Sequence, residues 1–582
     1  MRVKRMGLTS GLVDPEFKSL EELVDSCVTF YESNIEKMKR DSVRRRRADL
    51  SGFVERFHRD CGTLTPEVRK RLDDLRDGDC VVVMSAHQPN LFAYSGVLRK
   101  ATLIFVLAKQ LEKRLKVPVV NFFGVADQDF ADDRWVKSSL LPAVFRRDGL
   151  LSIYIQLPEE LLLNRVPKPS LGFLGHWKVQ IESWLDDAVN SVERLCKMCD
   201  LPMLNPHKDV LQENFGSFWK IVKDCYERSN SYSDLNAFVM SKIVNEAWGY
   251  DTLFSRFSEC QQAFADEIAF LLSRYQEYSR FLKEAHELLS EKGISSGVSA
   301  EESRLIPFWH HCDCGSKVRL FSSQRDGSLF GYGDCVGCGR HYDLEFGPLE
   351  KPDVSGVASR MSLRAISWIL AFSKGLGFSC YVGGVGGVWY LMEVRYVADR
   401  LGIPVPPMPV WRPRDRYVGI GQMEALLELK RMYTDLGVSD PSGAMDVLKS
   451  RIAEAQKCLD NLEASKGRIM EKLRGHPEDE KLKEEIKRIS LNQTEVKRSS
   501  NLSVINHELK ILENVPVVLN LIPSIIDYAV NVGLRETSDQ WVRYPSENGS
   551  LSSDVHLEPV LNRIMRLDIG LLTDGSLMRE DE

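Results

Sequence analysis

CVVVMSAHQPNLFAYSGVLRKATLIFVLAKQLEKRLKVPVVNFFGVADQDFADDRW, residues 80–135, decides the fold. Val81–Met84 is a β-branched strand-like run, and Ser85–Gly96 is a polar loop with a histidine, an Asn, a Pro and a Gly. Leu98–Leu115 has helical spacing, and Val119–Val125 is a second apolar run that ends in acidic residues. Two such runs joined by a helix predict a parallel βαβ unit. Ligands of these sheets bind beyond the carboxyl ends of the strands. Those ends carry His87-Gln88-Pro89-Asn90 and Asp127-Gln128-Asp129, so titratable and amide side chains gather where a small-molecule site is expected.

The surrounding chain of 582 residues exceeds one ordinary core and predicts several domains. A hydrophobic share of 43% with 27% charged residues is that of a globular protein rather than a disordered one. Net charge of −6 and a pI near 6.1 supply no general attraction to nucleic acid or an anionic membrane. No apolar run reaches the ~20 residues of a membrane span, and MRVKRMGLTSGLVDPEF lacks a signal-peptide core. A cytoplasmic location without a membrane partner is expected. Thirteen cysteines, scattered and odd in number, argue against a secreted disulfide framework. Cys196 and Cys199 form a CxxC inside an apparent helix and are expected to serve packing.

Residues 1–78 predict a helical segment, clearest over Leu20–Met38, and Arg44–Arg47 reads there as a solvated helix face or an anion patch. Residues 79–136 form the first part of a Rossmann-like core and 137–300 a mainly helical connecting region. Residues 301–350 switch to Cys, Gly and His, and 351–420 return to α/β character as a second part of the core. Residues 421–514 carry heptad-like apolar spacing on both sides of Gly475-His476-Pro477 and predict an antiparallel coiled-coil hairpin able to support a homodimer. Residues 515–582 are expected to dock back on the core. The class is therefore α/β, with a parallel Rossmann-like sheet, helical connections, a small cysteine-bearing insertion and a coiled coil.

Four constellations can carry chemistry. His87 at a strand end can donate to an anion or transfer a proton, with Gln88 and Asn90 beside it and Gly96 allowing close approach. Asp127 and Asp129 can bind an amine or act as a base, with Gln128 between them, whereas Asp132 and Asp133 suit the start of the next helix. Gly383, Gly384, Gly386 and Gly387 lie in a loop between a strand and a helix, where free N–H groups can hold an anion. Arg360 and Arg364, four apart, could share a helix face and grip phosphate or carboxylate. Finally, Cys312, Cys314, Cys335 and Cys338 pair at both ends of a short β-rich segment, and this thiolate set suits a structural Zn2+. The first pair is one residue shorter than a CxxC, so His310 or His311 could replace Cys312.

Together these blocks resemble the bacillithiol-biosynthesis cysteine-adding (BshC) family. The resemblance rests on SAHQPNLF (85–92), VLAKQLEKRLKVPVVNFFGVADQDF (106–130), SRMSLRA (359–365), YVGGVGGVWYL (381–391) and LGIPVPPM (401–408), in that order and followed by the hairpin. It spans residues 80–515 apart from the cysteine insertion. It implies a nucleotidyltransferase-like Rossmann core and a ligase that joins cysteine, or another amino acid, to a small amine-bearing, glucosaminyl-malate-like acceptor. Acyl transfer to an amine needs an activated carboxyl, for which ATP is the usual source.

Three positions depart from the family pattern. His87 stands for the first Gln of its QQ pair, Gln128 for the His between its acidic residues, and Gly387 for its loop Glu. Changes in all three loops imply an altered substrate. Two other readings compete. One is a non-catalytic zinc-ribbon and coiled-coil scaffold or nucleic-acid binder, weakened by the negative charge and scarce aromatics around the insertion's Lys and Arg residues. The other is a sugar-modifying enzyme, since HQPNLFAYSGVLRK (87–100) is similar to the opening of WbqC-like proteins.

Overall fold

The computed structural model describes residues 17–130, 133–157, 163–199, 201, 208–294, 299–384, 388–410, 415–547, 549–551 and 554–565. In chain order its main strands are β1 (Val81–His87), β2 (Val119–Val125), β3 (Ser138–Pro142), β4 (Leu150–Tyr154), β5 (Leu253–Arg256), β6 (Leu305–His311), β7 (Lys317–Arg325), β8 (Ser328–Asp334), β9 (His341–Pro348), β10 (Met361–Leu363) and β11 (Cys380–Val382). The central sheet is four-stranded, in the order β11-β1-β2-β5. Every pairing in it is parallel.

Both faces of this sheet are covered, which is why β1 and β2 read as unbroken apolar runs. Alternation still sorts the side chains. Val81, Val83, Val119 and Phe123 enter one core with the crossover helix Ser95–Leu115. Val82, Met84, Val120 and Phe122 enter a second core with the helix Ala365–Leu376.

The fourth strand, β5, lies inside the region expected to be mainly helical connection. Its four residues, LFSR, are too few to show a period, and pairing with β2 makes the strand. The last part of that region is divided into a short 3-10 turn, Gln261–Phe264, and the helices Ala265–Ser273 and Tyr275–Glu291.

The arginine run departs from both expectations at Arg47, while Arg45 is exposed. Arg47 is buried and donates to the carbonyls of Leu376, Gly78, Cys80 and Gly377. Arg46 pairs with Glu267 at 2.9 Å, and Arg44 with Asp79 at 2.5 Å. The guanidinium of Arg47 thus satisfies carbonyls that the ends of neighbouring elements leave open.

The cysteine-bearing segment is a five-stranded antiparallel sheet in the order β10-β6-β7-β8-β9. Ile306, Phe308, Val318, Leu320 and Phe346 pack it onto the second core. Further along, Pro441–Gly475 and Glu480–Ser499 are long helices side by side, with Gln493 donating to Glu463 at 2.6 Å. Leu448 of the first of them and Ile505 of the next helix, Leu502–Leu519, pack with Ala425, Leu429 and Met432. After them the chain returns to the core, where Ser95 N–H donates to the Pro523 carbonyl at 3.0 Å and Ile525 N–H to Ala93 at 2.9 Å. No helix among the described residues is long and apolar enough to cross a membrane.

Candidate functional site at the carboxyl rim of the parallel sheet

β1 ends at His87, which lies opposite Val125 at the end of β2. The Ala126 N–H donates to the His87 carbonyl at 2.9 Å, so the histidine and aspartate loops leave the sheet side by side. On the other flank Ser85 pairs with Val382, placing Gly383 and Gly384 at the same rim.

The His87 ring is held by two neighbours. Its Nδ1 lies 3.1 Å from the Gln88 carbonyl and its Nε2 lies 3.4 Å from the Tyr94 hydroxyl. A carbonyl only accepts, so the proton sits on Nδ1 and Nε2 accepts from Tyr94. Tyr94 in turn stacks on Trp135 with centroids 4.3 Å apart. Burial, reinforced by the Lys100 charge, pushes the His87 pKa down to about 3. Near neutral pH the ring is therefore an uncharged hydrogen-bonding group and a weak base. The buried Asn90 amide approaches this ring, and neither of its polar atoms completes a well-formed hydrogen bond within the protein. Gln88 contributes its carbonyl. Gly96 is required by packing, because a Cβ there would sit 2.6 Å from the Tyr94 ring.

The two aspartates part company. Asp127 is enclosed, accepting from the Ser258 N–H at 2.9 Å and the Ser258 hydroxyl at 2.5 Å. Burial raises its pKa to about 6. Both oxygens are thus spent on the start of the helix Phe257–Cys260, and the side chain serves as a fastener. Asp129 keeps 45% of its side chain exposed, with Lys317 Nζ 4.0 Å away. Gln128 Nε2 lies 3.3 Å from His311 Nδ1.

The glycine loop is only partly an anion cradle. The Gly383 N–H donates to the Pro409 carbonyl at 2.9 Å. Gly386 and Gly387 lie outside the described residues, as does Asp132. A Cβ on Gly384 would meet Lys100 Nζ at 3.0 Å.

The two arginines do not share a helix face. Arg360 ends a 3-10 turn, a strand of three residues follows, and Arg364 caps the next helix. Arg360 pairs with Asp313 at 3.0 Å, beside the cysteine cluster. Arg364 lies over the Trp309 ring at 4.1 Å.

Lys100 was not singled out by the sequence. It sits on the crossover helix, fully buried, and donates to the Ala86 carbonyl at 3.2 Å. Burial lowers its pKa to about 7. It lies beneath the end of β1, near His87, and against Gly384. A lysine between Val97 and Ile104 on the apolar face of the crossover helix was the available signal. His311 and Lys317, from the antiparallel sheet, are the other residues missed, and nothing in their spacing pointed to the rim.

The four cysteine thiols all lie within 4.8 Å of one another. Cys312 and Cys338 are 3.5 Å apart, and Cys314 and Cys335 3.4 Å. A tetrahedron with metal–sulfur bonds of ~2.3 Å has edges of about 3.8 Å, so the set can hold a metal ion. Both turns end in a left-handed glycine, Gly315 at φ +92° and Gly339 at +72°. The shortened pair therefore builds a turn comparable to the standard one. Cys312 stays in the cluster, while His311 is occupied by Gln128 and by Ser362 at 3.0 Å.

Comparison with known proteins agrees with this architecture. Residues 18–137 match the model of the bacillithiol biosynthesis BshC N-terminal Rossmann-like domain. A Bacillus cereus (strain G9842) protein named "Putative cysteine ligase BshC" is 23% identical over 343 residues, covering 57% of this chain and 55% of its own length. Proteins of the same name from Bacillus cereus (strain AH820) and Bacillus thuringiensis (strain Al Hakam) are each 22% identical over 422 residues, 70% of this chain and 69% of theirs. The chain spans only about half the length of the first of these relatives. The matched segment forms β1, the crossover helix and β2, and the similarity to the BshC proteins extends well beyond it along the chain.

Proposed function

We propose that this chain is a BshC-type ligase that joins cysteine, or another amino acid, to a small amine-bearing acceptor at the carboxyl rim of its parallel sheet. The observation that carries this reading is the meeting of His87, Lys100 and Gly384 at one rim, with Asp129 at the neighbouring strand end. Amide formation removes one proton from the attacking nitrogen while the activated carboxyl loses its leaving group. Lys100 is the group poised near neutrality to take that proton, and Asp129 is the exposed carboxylate that would hold the acceptor's amine. His87 would act as a neutral partner through its ring and not as the base, because its pKa is too low. Asn90, Gln88 and Gln128 would line the cleft, Gly96 would keep Tyr94 in place, and Gly383, Gly384 and Gly386 with Arg364 would border an anionic group. ATP would supply the carboxyl activation.

The same proposal assigns Zn2+ to Cys312, Cys314, Cys335 and Cys338 as a structural ion in a zinc-ribbon-like insertion, because four thiolates close the coordination sphere. It treats 421–514 as an antiparallel coiled coil on which a homodimer could form, with Leu491 62% exposed along it. The domain limits read from the sequence stand as proposed, with β5 assigned to the core.

The test is direct. Purified protein with ATP, L-cysteine and a panel of amine acceptors including glucosaminyl-malate is followed by mass spectrometry. A cysteine-dependent gain of the cysteinyl mass on one acceptor, abolished by Lys100→Met, is expected. No product with any acceptor, and no cysteine or ATP binding by calorimetry, would overturn the reading.

A further inference from the structure

His311 and Lys317 face each other as a cross-strand pair at the ends of β6 and β7. The first cysteine turn lies directly between them. Within it Cys312 N–H donates to the Ser316 carbonyl at 2.9 Å, and Gly315 N–H to the Cys312 carbonyl at 3.0 Å. Both flanking side chains are buried, His311 at 8% exposure and Lys317 at 5%. Each also reaches one residue of the acidic loop. His311 bridges Gln128 at 3.3 Å and Ser362 at 3.0 Å, and Lys317 approaches Asp129 at 4.0 Å. Gln128 and Asp129 belong to the acidic loop at the end of β2, which is joined to β1 through Ala126. The loop that offers Asp129 to the cleft is therefore braced from the inserted sheet.

We propose that the cysteine-bearing sheet is a wall of the substrate cleft, in which a metal ion on the four thiolates fixes the Cys312–Ser316 turn so that His311 and Lys317 position the Gln128–Asp129 loop. It rests on the metal reading of the cysteines and not on the identity of the reaction. The two residues are positioning residues: they act through the loop, and the metal is remote from the reacting atoms. The five-residue turn is closed by its own backbone hydrogen bonds and by the Asn164 N–H to the Gly315 carbonyl at 2.9 Å, and an ion on the thiolates adds the cross-link to the second cysteine turn, so losing the ion loosens both braces together. A buried lysine whose nearest carboxylate is Asp129 also orients that carboxylate, because separating the two leaves a buried charge uncompensated.

Hydrogen exchange of the full chain, without substrate, tests this. The Asp129 N–H closes its loop on the Ala126 carbonyl at 3.0 Å and reports the loop's opening. In zinc-loaded Lys317→Met the 126–130 peptide is expected to exchange about tenfold faster, while zinc content stays at one per chain. Lys317→Arg should restore most of the protection. Chelated wild-type protein should show the same acceleration at 126–130 together with 310–318, with the β2 peptide unchanged. Unaltered exchange at 126–130 in both preparations overturns the proposal, as does a chain that takes up no zinc. Because no ligand enters the measurement, a failed ligase assay leaves its outcome independent.

Discussion

The Nζ of Lys100 donates to the Ala86 carbonyl at 3.2 Å, one residue before the histidine that ends β1. Burial of this ammonium group, with one carbonyl in place of the water it has lost, lowers its pKa from 10.5 to about 7. Between those two pH values the unfolded chain holds a proton that the folded chain has released, so folding stability rises with pH across that window. Lys100→Met should therefore stabilise the fold by roughly 2–4 kcal/mol at pH 6, and by much less near pH 9.5. It should also reduce ligase turnover by at least about 100-fold. Urea melts at the two pH values and a steady-state assay check both.

Asp127 and Asp129, two residues apart, should behave as different kinds of residue. Asp127 keeps its proton up to about 6 against an ordinary 3.8, so wild-type stability falls as pH rises from about 4 to 6. Asp127→Asn should remove that dependence, and Asp127→Ala should cost about 1–2 kcal/mol through the lost Ser258 contacts. Asp129→Asn should leave stability within about 0.5 kcal/mol and lower activity by at least about 100-fold. Paired denaturation and rate measurements separate the two.

Two glycines should separate packing from function. Gly96→Ala brings a Cβ to 2.6 Å from a tyrosine ring held by Trp135, so it should destabilise by about 1–3 kcal/mol and abolish activity. Gly384→Ala meets only the mobile end of Lys100, at 3.0 Å. It should leave thermal stability nearly unchanged while activity falls about tenfold, a comparison that calorimetry and kinetics make directly.

The cysteine cluster should bind one zinc ion per chain, measured by elemental analysis. Cys335→Ser, which removes a buried thiol of the set, should lose the metal and destabilise the antiparallel sheet by several kcal/mol. Cys458→Ser, an exposed thiol outside the set, should change neither quantity.

How far the sequence could be read follows from what each feature depends on. The strands at 81–87 and 119–125 were legible as unbroken apolar runs and the helix between them by its spacing, all of them local features. β5 was hidden in a four-residue run whose strand state comes from its neighbour β2. Arg44–Arg47 looked like a solvated stripe, yet Arg47 is enclosed because carbonyls of Gly78, Cys80, Leu376 and Gly377 converge on it from distant parts of the chain. Arg360 and Arg364 shared a helical spacing but not a helix, since β10 pairs with β6 between them.

By itself the sequence determined that His87, Asp127 and Asp129 stand at the ends of parallel strands and that four cysteines meet, because alternation, turn glycines and pairwise spacing are properties of short segments. Only the tertiary structure decided what those residues can do. It turned Asp127 into a fastener, left Asp129 half exposed beside Lys317, kept His87 neutral, and brought Lys100, His311 and Lys317 to the rim. The physical reason is that a titratable group's behaviour is set by the water it loses and the charges it meets. For Asp127 and Asp129 both come from residues more than a hundred positions away, Ser258 and Lys317.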